Sequence, residues 1–233
     1  MSVGLHSIGF MPVRAVLERG PKERKVVAYA VDWPGWTRGA KTAELALARL
    51  EAYRERYRPV AVAAKLKREF DAAGPLEVVE DMVGMTSTDF WGFSFVASSL
   101  EQDPMDEADL DRKIALLRGC WSLFDDVAGS VSAELDKGPR GTGRDRDQII
   151  RHTLRSESEQ TAKKLGLRIA ERAVLEPKAL HEFRDTYVAT MRAYNAGEGK
   201  RMRSWTLAFL IRYTAFHLMD HAWEMQDKDL TPR

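Results

Sequence analysis

The pattern of apolar and polar positions changes once along this chain. Before about residue 82, apolar residues come in short runs rich in β-formers, separated by turn signals. Beyond about residue 105 they recur every three to four residues over stretches of roughly 17 to 30 residues, the spacing of amphipathic helices. In the first part, residues 13–18 are predicted to form a strand. Arg19-Gly20-Pro21-Lys22 is a turn signal, and Lys25-Val26-Val27-Ala28-Tyr29-Ala30-Val31 supplies the partner strand. Asp32-Trp33-Pro34-Gly35-Trp36 reads as a tight loop. Thr42 is a good N-cap for a helix on which Ala46, Leu50, Tyr53 and Tyr57 share a face. The pattern weakens after Tyr57-Arg58-Pro59; residues 61–70 are read as a second helix, ended by Gly74-Pro75, and residues 76–80 as a third strand.

The second part carries four helices. The first spans 106–135, with Leu110, Ile114, Leu117, Trp121, Phe124 and Val127 on one face. The second spans 145–165, with Asp145 and Asp147 at its positive end and Gly166 as terminator. Pro177 starts the third, which Asn195-Ala196-Gly197 ends. Ser204 is the expected cap of the fourth, which runs to about residue 226. The fold class expected is therefore α+β: a small N-terminal ββαβ unit over 11–82, a linker over 83–105, and a four-helix bundle over 106–228. The linker is dense in aromatic residues, Phe90, Trp91, Phe93 and Phe95 among them. It is either packed over two core faces or the wall of a ligand cleft.

Composition narrows the picture. The 233 residues are 44% hydrophobic and 30% charged, enough apolar material for a real core. A formal net charge of +1 argues against a global electrostatic role on nucleic acid or membrane. The single cysteine, Cys120, excludes an intrachain disulfide and reads as a small buried hydrophobe, because no activating base lies beside it in sequence. No apolar run reaches the roughly 20 residues of a membrane span. Residues 1–10 read as a loose leader without the pattern of a signal peptide, and the expected location is cytoplasmic.

The sharpest chemical feature is His217-Leu218-Met219-Asp220-His221. An i, i+4 pair puts both imidazoles on one face, a turn apart, where they can chelate one ion. Leu207, Phe209, Leu210, Ile211, Phe216 and Trp223 make the surrounding helix apolar nearly all round, so the pair should point inward. Two core histidines bonded to backbone or carboxylate would give the same spacing. Of the other three histidines, His6 lies in the leader and His181 reads as an exposed helix residue. His152 shares a polar strip with Gln148, Ser156, Glu159 and Lys163, which suits either solvent or a wet cavity. Glu224 follows the pair by one turn, and Glu159 shares the face of His152. Each is a candidate to orient an imidazole or to serve as a general base, or is simply a solvated carboxylate. Arg140, Arg144, Arg146, Arg151 and Arg155 interleave with acidic residues and read as a solvated face.

Two resemblances bear on these residues. Asp32, Pro34, Gly35, Gly39, Thr42, Glu44 and Ala46 are spaced as in the strand–loop–helix signature of HicB-like antitoxin domains. The DNA-binding module that follows that unit in HicB antitoxins has no counterpart here, so the resemblance implies a fold only. Residues 106–228, half the chain, resemble the DinB/YfiT-like superfamily. The matching segments are Arg212 to Glu224, with its H-x-x-x-H pair, and Gly143 to His152 followed by Glu159. That resemblance implies a divalent ion (zinc, nickel or iron) held by His152, His217 and His221, with a coordination position left open as in catalytic His₃ sites. It also implies thiol-dependent transferase or isomerase chemistry, with a small-molecule substrate and a low-molecular-weight thiol entering past Trp91. A homodimer is compatible with it, whereas membrane and nucleic-acid partners are not expected. The alternative is a non-catalytic binding or regulatory protein with a HicB-like module and a structural or vestigial metal site.

Overall fold

Val13-Arg14-Ala15-Val16-Leu17 and Val26-Val27-Ala28-Tyr29-Ala30 are rich in β-formers, and they pair as expected. In this computed structural model, which describes residues 11–139, 141–170, 173–199 and 201–232, strand β1 (Val13–Arg19) runs antiparallel to β2 (Val26–Ala30). The Gly20 amide donates to the Lys25 carbonyl at 2.9 Å and closes the turn between them. The leader with His6, and Arg140 of the arginine cluster, lie outside the described residues.

The unit has one strand more than ββαβ. After the loop at 32–36, turned at Gly35 with φ +98°, the chain returns as β3 (Thr37–Ala40) along the free edge of β2. Pairing with β2, not side-chain pattern, makes this strand, since Thr-Arg-Gly-Ala has no apolar alternation. Three helices follow: α1 (Ala43–Ala52), α2 (Arg54–Ala63) and α3 (Lys67–Asp71). The Thr42 side chain accepts from the Leu45 amide at 3.3 Å, as an N-cap should. Pro59 does not break the chain where the sequence suggests. It sits inside α2 on an exposed side, and the break falls earlier, at Tyr53. β4 (Leu76–Val83) then pairs in parallel with β1, giving the order β3-β2-β1-β4.

Both faces of the hairpin are covered. Val13, Leu17, Val26, Ala28 and Ala30 join Trp36, Leu50 and Tyr57 in a core that continues through Leu117, Tyr187, Leu210 and Trp223 of the later helices. Val16, Tyr29 and Val31 look the other way. The segment expected as a linker packs over that second face. It contains α4 (Thr86–Trp91) and a single helical turn at Ser99–Glu101. Its anchors are polar: the hydroxyls of Thr88 and Ser94 each donate to the buried Glu18 carboxylate at 2.6 Å. Glu101, 3% exposed, accepts from Arg212 at 2.6 Å, and Arg212 also donates to Ser94 and lies 3.8 Å over the Tyr29 ring.

Beyond residue 110 the described residues contain no strand, only an isolated bridge between Leu135 and Asp229. The long helices are α5 (Glu107–Ser130), α6 (Arg146–Ser156), α7 (Pro177–Asn195) and α8 (Leu207–Asp227). α5 ends five residues short of 135, where the Ser130 hydroxyl bonds back to the Val127 carbonyl and Val131 turns extended. α8 is capped by Thr206, not Ser204. α6 ends at Ser156, passes through a π turn at Glu157–Thr161, and closes in a 3₁₀ turn at Ala162–Leu165 before Gly166, φ +83°.

Gly119 lets α2 lie directly on α5: a Cβ there would stand 2.6 Å from the Val60 carbonyl oxygen. Alanine normally favours a helix interior by about 1 kcal/mol over glycine. Here the overlap with backbone should outweigh that gain, and Gly119→Ala is expected to destabilise by roughly 1–3 kcal/mol. A thermal melt checks this; a melting temperature at or above wild type would show that the two helices separate at no cost.

Candidate metal centre

α6 and α8 bring His152, His217 and His221 together. One ring nitrogen from each lies within 4.8 Å of the other two. Ring centroids are 4.6 Å apart for His217 and His221, and 5.3 and 5.0 Å from His152 to each of them. Nitrogens about 2.0–2.1 Å from a tetrahedral zinc stand about 3.3 Å from one another, so side-chain adjustments of an ångström or so would close the set. The expected inward direction of the pair holds: His221 is buried and His217 half-buried, whereas His152 is exposed and leaves the cluster open on its side.

The surroundings of His152 and His217 suit neutral imidazoles. Burial first, then the nearby His221, His152 and Arg144, hold His217 well below its ordinary pKa. Burial, His221 and Arg144 also lower His152, with Glu224 pulling slightly the other way. Both rings therefore carry free lone pairs at neutral pH, the form a metal needs.

Glu224 lies 2.8 Å from Nδ1 of His221. A proton held on Nδ1 by this carboxylate leaves Nε2 as the ligand atom, the usual carboxylate–histidine arrangement of metal sites. Glu224 is itself held by Arg144 at 3.1 Å and Lys228 at 2.7 Å. Burial alone would raise its pKa, but the bonds from His221 and Lys228 and the nearby charges bring it down to about 2. A carboxylate so saturated orients its neighbour and is a poor proton acceptor at neutral pH. Glu224→Gln is expected to weaken metal binding about 10- to 100-fold while leaving the three histidines in place. Competition with a chromophoric chelator measures it, and an unchanged affinity would remove Glu224 from the site.

Glu159 is not brought to the cluster. It is half exposed in an ion pair with Arg155 at 3.1 Å and makes no hydrogen bond to the three imidazoles. Seven residues on in an unbroken α-helix it would return to within about 20° of His152. The π turn at 157–161 widens the helix and rotates it away. The residue carried inward is Glu157, 3% exposed, accepting from Trp121 Nε1 at 2.7 Å, with burial pushing its carboxyl up to about 7.

His181 is exposed beside Asp185, 3.2 Å away. Cys120 is fully buried against the Pro34 carbonyl, and burial pushes its thiol far above the ordinary range, which suits a packing residue. Arg144, read from sequence as part of a solvated face, instead reaches Glu224 from the loop before α6; nothing in its spacing signals this. Arg146 pairs with Asp147, as that reading expects.

No protein-family model, curated protein or solved structure matches this chain. Among the described residues no helix is long and apolar enough to cross a membrane.

Proposed function

We propose that this chain is a divalent-metal-dependent enzyme of the DinB/YfiT-like kind, acting in the cytoplasm. In this reading α5 to α8 are its four-helix bundle and residues 11–82 an added HicB-like unit. The observation that carries the proposal is the convergence of three histidines from two helices, with an outer nitrogen of one fixed by a buffered carboxylate. The three rings pack on one another with centroids 4.6, 5.0 and 5.3 Å apart, and the carboxylate bonded to His221 takes its Nδ1, the arrangement of a metal-ligating histidine.

His152, His217 and His221 would hold the ion; imidazole suits zinc, nickel or iron and does not choose among them. When bound, a divalent ion supplies a Lewis acid that favours the thiolate form of a thiol at neutral pH. The chain's own part is to keep His152 and His217 neutral, to fix the tautomer of His221 through Glu224, and to admit small molecules on the exposed side of His152. Thiol-dependent transfer or isomerisation is the chemistry proposed. Elemental analysis of tag-free protein tests the reading. About one ion per chain, absent from His217→Ala, is expected. Protein that holds no metal and also refuses added zinc and nickel ends it.

A further inference from the structure

The aromatic segment 90–95 borders a cleft that none of the three histidines lines. It lies between α1 and β3 on one side and the Trp91–Phe93 stretch and α8 on the other, with a volume of about 840 Å³. That is the size of a small-molecule site, and its place between a sheet unit and a helical unit is where such sites concentrate.

Two glycines set its width. A Cβ on Gly39 would stand 2.4 Å from the Gly92 carbonyl oxygen, so β3 and the segment after α4 touch through bare backbone. Gly92, φ +74°, ends α4 in the left-handed conformation that turns the chain there. Above this contact Trp91, Phe93 and Phe216 form an aromatic wall: Phe93 stacks on Trp91 at 6.4 Å and meets Phe216 edge-on at 5.1 Å. Trp91 is 58% exposed, an unusual state for a tryptophan, and one consistent with a face left for a ligand.

The charged groups on the rim are mostly of one sign. Lys25, Lys41 and Arg49 line the cleft together with the ion pair of Arg38 and Asp220, 2.9 Å apart. Lys25 donates to the Phe90 carbonyl and Arg49 to the Gly39 carbonyl, so their hydrogen bonds there go to neutral oxygens. With Asp220 matched by Arg38, three positive charges face the cleft uncompensated by any carboxylate of its lining. Thr37, 1% exposed and also in the lining, keeps a buried hydroxyl without a hydrogen-bond partner. A buried hydroxyl in that state is costly unless something completes it.

We infer that this cleft is a binding site for a small anion with a planar apolar body, an aromatic carboxylate or sulfonate, whose ring lies on Trp91 and Phe93 and whose charge meets Lys25, Lys41 and Arg49. The site does not depend on the metal reading, since the lining contains no residue of the histidine cluster or of its carboxylate.

The test uses 8-anilinonaphthalene-1-sulfonate and its uncharged counterpart, N-phenyl-1-naphthylamine, with the full chain. The sulfonate is expected to bind once per chain, and the neutral compound about tenfold more weakly or worse. Lys41 and Arg49 are exposed, so the double charge reversal K41E/R49E should leave the fold intact, which far-ultraviolet circular dichroism checks. It is expected to weaken the sulfonate at least about tenfold, because a partly enclosed cleft screens charge less than open water does. Trp91→Ala should weaken both compounds. His217→Ala should change the sulfonate affinity by less than about twofold, which separates this site from the metal centre. Equal binding of the two compounds, indifference to K41E/R49E in folded protein, or uptake of many sulfonates without saturation would each overturn the inference.

Discussion

Replacing His217 or His221 by alanine is expected to abolish metal binding and to lower the melting temperature only when metal is present. The reason is mass action: an ion that binds the native state alone stabilises it, and free metal at about a thousand times its dissociation constant contributes about 4 kcal/mol. For a chain of this size that moves the melting temperature by roughly 8–16 °C. Chelator should lower wild type by a similar amount and leave the variants unchanged. The helices themselves should remain folded, because Trp121, Phe124, Tyr187, Phe209 and Leu210 are buried independently of any ion. If the three rings were ordinary core histidines, the melting series would invert: a large loss on substitution and no response to chelator. That inverted result would sink the metal reading.

The second large effect is expected at Arg212. Arg212, 2% exposed, is paired with the buried Glu101 and shares the Ser94 hydroxyl with the buried Glu18. Arg212→Ala leaves Glu101 buried without its partner, and removal of one member of such a pair costs about 3–5 kcal/mol. Arg212→Lys should recover only part of that, since an ammonium cannot make the parallel bonds of Nε and Nη2 to Glu101. Burial would push the Glu101 carboxyl up, but the charge and hydrogen bonds of Arg212 and the bonds from Ser98 hold it below its ordinary value. Its contribution is therefore fully present above the unfolded value of about 4.3 and is lost as pH falls through the lower folded one. Urea titrations at pH 7 and near pH 3 measure both effects. An Arg212→Ala protein as stable as wild type at pH 7 would mean that the group contributes nothing.

What the sequence disclosed follows the physics of each element. Helix α7 starts and ends where read, at Pro177 and Asn195, because proline at a first helical position and glycine after the last one are local signals. Strand β3 is written instead in the free edge of β2, so no pattern in Thr37 to Ala40 betrays it. The π turn is equally silent: Glu-Ser-Glu-Gln-Thr is ordinary helix composition, and the partner of the buried Glu157, Trp121, lies 36 residues away. The spacing of His217 and His221 discloses a pair, and Glu224 at i+3 its orienting partner. The direction of His152 is hidden by its polar neighbours, which suit an open-sided site as well as they suit solvent.

The anchoring of the second sheet face to Arg212 bears on the order in which the chain acquires its shape during synthesis. The contact between Glu101 and Arg212 spans 111 residues, and that between Arg38 and Asp220 spans 182. Both wait for α8, which follows every other described helix along the chain. A ribosome adding about 5–20 residues per second takes roughly 6–22 s to pass from Glu101 to Arg212. Throughout that interval Val16, Tyr29 and Val31 lie beside Glu18 and Glu101 before Arg212 has been made, so the hairpin can form but its outer face cannot be sealed. A nascent chain stalled before residue 207 should therefore remain sensitive to protease across residues 84–105, and resistance should arrive in one step as α8 emerges.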